Sequence, residues 1–216
     1  DIFWSGIKLY LSRHAGGVVE TRDLWRALEE VSGHSLERFF EQAVFRAGHP
    51  SLTVTVSHTN KQLTVQVKQA VPAGQRPFAF DLDIDIAAAG KRGVDRLVKH
   101  VHQSNHTFVI PLAERPRFVV IDADLRVIGS VQVKAPSDLL RTQLASAPTA
   151  RGRRMAAAAL SKRDDPPCIE ALGECLTKGR EFWGVRAEAA ASLGRIRSSD
   201  AFGHLARAVR TRHPKV

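Results

Sequence analysis

The sequence is short of several things, and each shortage removes a class of explanation. No apolar run reaches the roughly 18 residues that a membrane-spanning helix needs, so no part is expected to cross a bilayer. Only two of the 216 residues are cysteine, Cys168 and Cys175, too few for a disulfide framework. Seven apart on a helix, they share a face but stand roughly 10 Å apart along its axis, too far to bridge. Reduced thiols and a cytoplasmic setting are the expectation. No basic and apolar leader opens the chain. It starts at Asp1, without an initiator Met, in what reads as mid-helix, and is expected to be a piece of a longer protein. No His is followed by Glu, so the H-E-x-x-H pattern that sets two imidazoles on one helix face is absent. None of the nine histidines sits beside a nucleophile elbow, so no Ser-His-Asp triad is supported.

What is there has a globular balance: 44% hydrophobic and 25% charged residues, in a chain long enough for a sizeable core. The charge is unevenly spread. Residues 1–50 carry 6 Lys/Arg against 7 Asp/Glu, residues 51–136 carry 11 against 7, and residues 137–216 carry 15 against 8. A basic C-terminal part can attract acidic partners. Its arginines recur at helical spacing beside alanines, with few aromatics and no base-reading motif, so a solvated helix face is expected and nucleic-acid binding is not.

Residues 1–50 read as two or three helices. Phe3, Ile7, Tyr10 and Leu11 share a face, and the glycines after His14 end that helix. Thr21 or Asp23 can cap the next, which carries Leu24, Leu28 and Val31 and stops at Gly33. From Ser35, half a capping box, a third helix is expected to bury Leu36, Phe39, Phe40, Ala43 and Val44. Gly48 ends it in a left-handed turn and Pro50 bars its continuation. Helices this short cannot cover their own faces well and are expected to pack on something else.

The wording of this segment resembles the end of the catalytic domain of aminopeptidase N-type zinc metallopeptidases, the gluzincins. The resemblance rests on Tyr10-Leu11, on Thr21-Arg22-Asp23-Leu24, and on Glu29 with Ser32, Gly33 and Leu36. Phe39-Phe40, Gln42 and Gly48-His49-Pro50 follow in order, with Ala43 where the family carries Trp. The resemblance implies a parent protein that uses zinc to hydrolyse peptide N-termini, with all its ligands upstream of this chain. His14, His34 and His49 are therefore not expected to be ligands, and Tyr10 is expected in the core. No catalytic, cofactor-binding or metal-binding residue is assigned to this chain. The expected partners are the upstream catalytic domain of the same parent and, for the parent, a peptide.

From Ser51 the apolar period becomes two. Leu52, Val54 and Val56, a turn at Thr59-Asn60-Lys61, and then Leu63, Val65 and Val67 predict a hairpin. Phe78 to Ile86 alternates with Asp81, Asp83 and Asp85, predicting a half-buried strand with solvated carboxylates. Runs at 94–102, 107–112, 118–121 and 127–133 complete seven short strands over residues 51–136, an expected β-sandwich. The gluzincin resemblance makes it immunoglobulin-like. The three aspartates on one open face do not enclose a cation. His100 and His102 share a strand face with His106 nearby, but no fourth group completes a zinc set.

Residues 137–216 repeat. The stretch 152–160 aligns with 185–193 at an offset of 33, as do Ile169, Leu172 and Leu176 with Phe202, Leu205 and Val209. Each unit is an Ala-rich helix, a polar turn and a Leu-striped helix, and the wording Trp183 to Ala190 resembles HEAT repeats. Ala190 is expected at a close helix contact. His213-Pro214-Lys215-Val216 reads as the start of a further repeat, with Val216 answering Val185.

The expected architecture is thus multidomain: helices over 1–50, an immunoglobulin-like β-sandwich over 51–136, and a HEAT-like α-solenoid over 137–216. The expected role is the non-catalytic C-terminal part of a zinc aminopeptidase, completing its catalytic domain and shaping substrate access. The alternative is a scaffold module of a catalytically inactive relative.

Overall fold

The Asp1 carboxylate accepts from the Phe3 N–H at 3.1 Å and starts helix α1 (Ile2–Arg13). The computed structural model describes residues 1–90 and 92–209. They form two compact units that divide between His49 and Pro50.

In the first unit the cap of α2 (Thr21–Ser32) falls one residue earlier than expected. Glu20 is the N-cap, and Asp23 returns to the Glu20 N–H at 2.9 Å, completing a capping box. Gly33, at φ 68°, ends the helix in the left-handed turn that its position predicts. α1 and α2 touch at Gly6, where a Cβ would lie 2.6 Å from Leu28 Cδ2. Arg13 and Glu30 join the pair through two hydrogen bonds of 2.9 and 3.1 Å.

The third helix is shorter than expected. α3 (Glu37–Phe40) makes one turn, and Glu41–Phe45 continues as a π-helical turn. Glu29 and Ser35 both hold its start: Glu29 accepts from the Leu36 N–H at 2.6 Å and Ser35 Oγ from the Glu37 N–H at 3.4 Å. A π turn fits an extra residue into the coil and rotates everything beyond it off the original stripe. Of the five residues expected on the buried face only Phe40 is buried, stacked on Trp25 at 5.3 Å.

The second unit opens with a hairpin of β1 (Ser51–Thr59) and β2 (Gln62–Gln69). Asn60 and Lys61 both take positive φ, 49° and 59°, as a type I′ turn requires. β3 (Phe80–Ala87), β4 (Asp95–Val101), β5 (Asn105–Pro111), β6 (Phe118–Ile121) and β7 (Ser130–Lys134) follow. They form a four-stranded sheet ordered β5-β2-β1-β7 and a three-stranded sheet ordered β4-β3-β6. All pairs are antiparallel except β1 with β7. An immunoglobulin constant domain would pair its fourth strand with the fifth and its seventh with the sixth. Here the fourth and seventh strands have exchanged sheets.

Behind the strands come α4 (Ser137–Ser146), α5 (Ala150–Leu160), α6 (Pro166–Thr177), α7 (Trp183–Ile196) and α8 (Ser199–Ala208). Thr149, Asp165 and Ser198 cap α5, α6 and α8 through their side chains. The offset of 33 maps α5 on α7 and α6 on α8. It also maps Arg153 on Arg186, and both arginines donate to carbonyls at the end of a preceding helix: Ala147 O at 2.7 Å and Leu176 O at 2.9 Å. The correspondence weakens in α8. Ile169, Leu172 and Leu176 are buried, but their counterparts Phe202 and Val209 are exposed. A solenoid face is covered by the next helix, and none follows α8 among the described residues. The further repeat expected at His213 to Val216 lies outside the described residues.

One hydrophobic core runs through the strands and the repeat helices, from Val54 and Ile84 to Leu172 and Leu193. A second, smaller cluster joins Phe118 and Val120 of β6 to Ala147 at the end of α4. That cluster overturns one expectation. β3 is buried along nearly its whole length, because the outer face of its sheet is covered too. Asp83 and Asp85 are buried, not solvated.

Within α7 Ala189 is fully buried, while Ala190 is half-buried. Replacing Ala189 with Leu should overpack the helix contacts and cost about 1–3 kcal/mol. The same change at Ala190 should cost less, and urea denaturation of both variants checks the order.

Candidate functional site

Three buried carboxylates, Asp83, Asp85 and Asp122, lie where the β-sheets meet the helices. Asp81, Asp83 and Asp85 alternate along β3 on the face that β6 presents with Val120, since Asp85 pairs with Val120 across the sheet. α5 covers that face closely: a Cβ on Gly152 would lie 3.2 Å from the Val120 methyls. A carboxylate buried there must be paired or pay its full desolvation. Each is paired. Arg96, opposite Asp85 in the β3–β4 register, donates to it at 2.7 and 2.9 Å and also bonds Asp124. Arg126 Nε stands 3.0 Å from Asp83 Oδ2, although neither Asp83 oxygen receives a well-directed hydrogen bond.

Asp122 is the best satisfied of the set. It is fully buried and takes the left-handed backbone at φ 52°. Its Oδ1 accepts from the Arg126 and Val127 N–H groups at 2.8 and 3.2 Å. Arg151 of α5 donates to its Oδ2 at 2.9 Å and to its carbonyl at 2.8 Å. The arrangement sets an arginine beside each of the buried acids Asp83, Asp85 and Asp122, and the Arg151–Asp122 pair ties helix to sheet.

The histidine row lies at the other end of β4. His100 and His102 stack with ring centres 5.4 Å apart, and His106 meets His102 edge-on at 4.9 Å. His106 Nε2 accepts from the His102 and Gln103 N–H groups at 3.1 and 3.0 Å, so it ties the β4–β5 turn. His100 Nδ1 sits 2.8 Å from Asp81 Oδ1. Burial first, then the charges of His102 and His100, lower the His106 pKa.

The remaining candidates are dispersed. His14 is the C-cap of α1, His34 and His49 lie in exposed loops, and Tyr10 is half-buried beside His14. Cys168 and Cys175 are buried free thiols; burial raises both, Cys175 to about 11, which keeps them protonated. Among the described residues no three His, Cys, Asp or Glu side chains are grouped to hold a metal ion. No described helix is long and apolar enough to cross a membrane. The buried acids at 83, 85 and 122 were hidden from the sequence because alternation alone does not reveal what covers a sheet's second face.

Comparison with known proteins gives three findings. A HEAT-repeat family model matches residues 137–216. Tricorn protease-interacting factor F2 of Thermoplasma volcanium is 40% identical over 62 residues, 29% of this chain and 8% of that protein. The protein of the same name from Thermoplasma acidophilum is 39% identical over 62 residues, with the same shares. Among solved structures, Legionella pneumophila aminopeptidase A in complex with aspartic acid superimposes with a TM-score of 0.65 at 15% identity. That match covers 94% of this chain and 26% of the aminopeptidase, so the fold is that of one part of a larger protein. The chain spans under a tenth of the curated relatives it matches.

Two outcomes test the electrostatics. Arg151→Ala should cost about 3–5 kcal/mol, because it strands the buried Asp122 carboxylate, and chemical denaturation measures it. For His106, the folded pKa lies below the unfolded value of about 6.5. The stability it contributes is therefore present above that pH and lost as pH falls through the folded pKa. His106→Gln, which keeps an acceptor for the turn, should flatten that part of the stability profile.

Proposed function

We propose that this chain is the non-catalytic C-terminal part of a zinc-dependent aminopeptidase acting on peptide N-termini. In this reading α1 to α3 complete the catalytic domain, and the repeat helices wall its approach. The observation that carries it is the unsatisfied surface of the first unit. Ile2, Phe3, Trp4, Leu11, Phe39 and Phe45 are each about half exposed or more. Large aromatic side chains on so small a helical unit are what a contact with another domain leaves behind when that domain is taken away. The same segment carries the gluzincin-like wording, and the fold match to an aminopeptidase extends over nearly the whole chain. The upstream catalytic domain of the same parent is the proposed partner of this surface.

Zinc belongs to the parent in this proposal. The described residues offer it no ligand set, so no step of the chemistry runs through them. Their part is to support and to limit access.

The reading predicts an intact H-E-x-x-H with a downstream Glu in the reading frame ahead of Asp1. It also predicts that the chain alone releases no amine from an aminoacyl-amide, whereas the continuous longer protein does. Phe45→Glu should weaken activity of the longer protein by disturbing its packing. Other residues at the upstream zinc positions would sink the proposal in favour of a scaffold role.

A further inference from the structure

β7 is an edge strand, and its free side faces a groove rather than open water. The groove holds about 490 Å³ and is lined by all of Val131, Gln132, Val133 and Lys134. Successive residues of a strand point to opposite faces. A cavity that meets odd and even residues alike therefore meets the strand edge-on, along its unpaired backbone. Among the described residues, no backbone group outside β1 bonds residues 131–134. The opposite wall is one face of α5: Arg151, Arg154, Met155, Ala158 and Ala159, with Lys162 just past its end. The spacing of three and four keeps these on one stripe, and the small alanines open the space between helix and strand.

Charge decides what this groove suits. Five cations line it, Lys134, Arg151, Arg154, Lys162 and Arg163, against one carboxylate, Glu188. Arg151 is committed to Asp122, and Arg154 stands 3.7 Å from Glu188. Lys134 and Lys162 have no ion-pair partner among the described residues. A single lysine on an edge strand is an ordinary guard against unwanted pairing. A cationic rim over an apolar floor of Met155 and alanines is more than a guard.

We propose that this groove binds an extended peptide segment with carboxylate side chains, which adds a strand to the free edge of β7. Backbone pairing supplies the alignment, and alternate acidic side chains meet Lys134 and Lys162. The site is independent of any peptidase chemistry in the parent.

The test uses the full chain and a short fluorescein-labelled peptide of alternating glutamate and valine, followed by fluorescence anisotropy. Saturable binding that weakens with salt is expected. Reversing both lysines, Lys134→Glu with Lys162→Glu, should weaken it about tenfold or more. A peptide N-methylated at alternate amides keeps its carboxylates and should no longer bind. Absence of saturable binding, or equal binding of the N-methylated peptide, overturns the proposal. Equal competition by single-stranded oligo-dT overturns it as well, since that reads a general polyanion patch.

Discussion

The second unit depends on the pairing of Asp122 with Arg151. β3 and β6 can be buried on both faces only if something apolar and close-fitting lies on the outside of their sheet. α5 meets that need with Gly152 against Val120, and α4 meets it with Ala147. Closing that face takes Asp83, Asp85 and Asp122 out of water. A buried carboxylate left alone would cost several kcal/mol, more than most single contacts return. The arginines at 96, 126 and 151 cancel this, and Arg151 does so from the helix that causes the burial. Strands and solenoid therefore share one core, and neither can be moved without exposing an ion pair of the other.

The first unit shows the opposite condition. Its local rules are met: an Asp N-cap, a capping box, a left-handed glycine and a bidentate Arg13–Glu30 pair. Its burial is not, because only Gly6, Ala27 and Phe40 of its helical residues are buried. Most helix stability in proteins comes from packing one apolar face, and caps contribute about 1 kcal/mol each. The π turn at Glu41–Phe45 belongs to this picture, since it turns Phe45 toward the Trp25–Phe40 pair while leaving it half exposed.

The two basic features of the helical part differ in kind. Arg153 and Arg186 are internal ties, repeated at the solenoid period and spent on helix-end carbonyls. Lys134 lies outside the repeats and Lys162 just past the end of α5, and both line a groove. Counting charge along the chain merges these, although one group holds the fold and the other faces outward.

The sequence by itself determined the local elements. Period two and short apolar runs located the strands, period 3.6 located most of the helices, and Asn60-Lys61 marked the turn of the first hairpin, because each is set by neighbours within a few residues. The repeat offset of 33 was legible for the same reason. It did not determine which face of β3 meets helices, which sheet β4 and β7 join, where the third helix unwinds, or whether Ala189 or Ala190 sits deepest. Those depend on contacts between residues far apart in the chain. The alternation Asp81, Asp83, Asp85 is identical whether its face is open or covered, and only the tertiary structure decided that Asp83 and Asp85 are buried while Asp81 stays exposed.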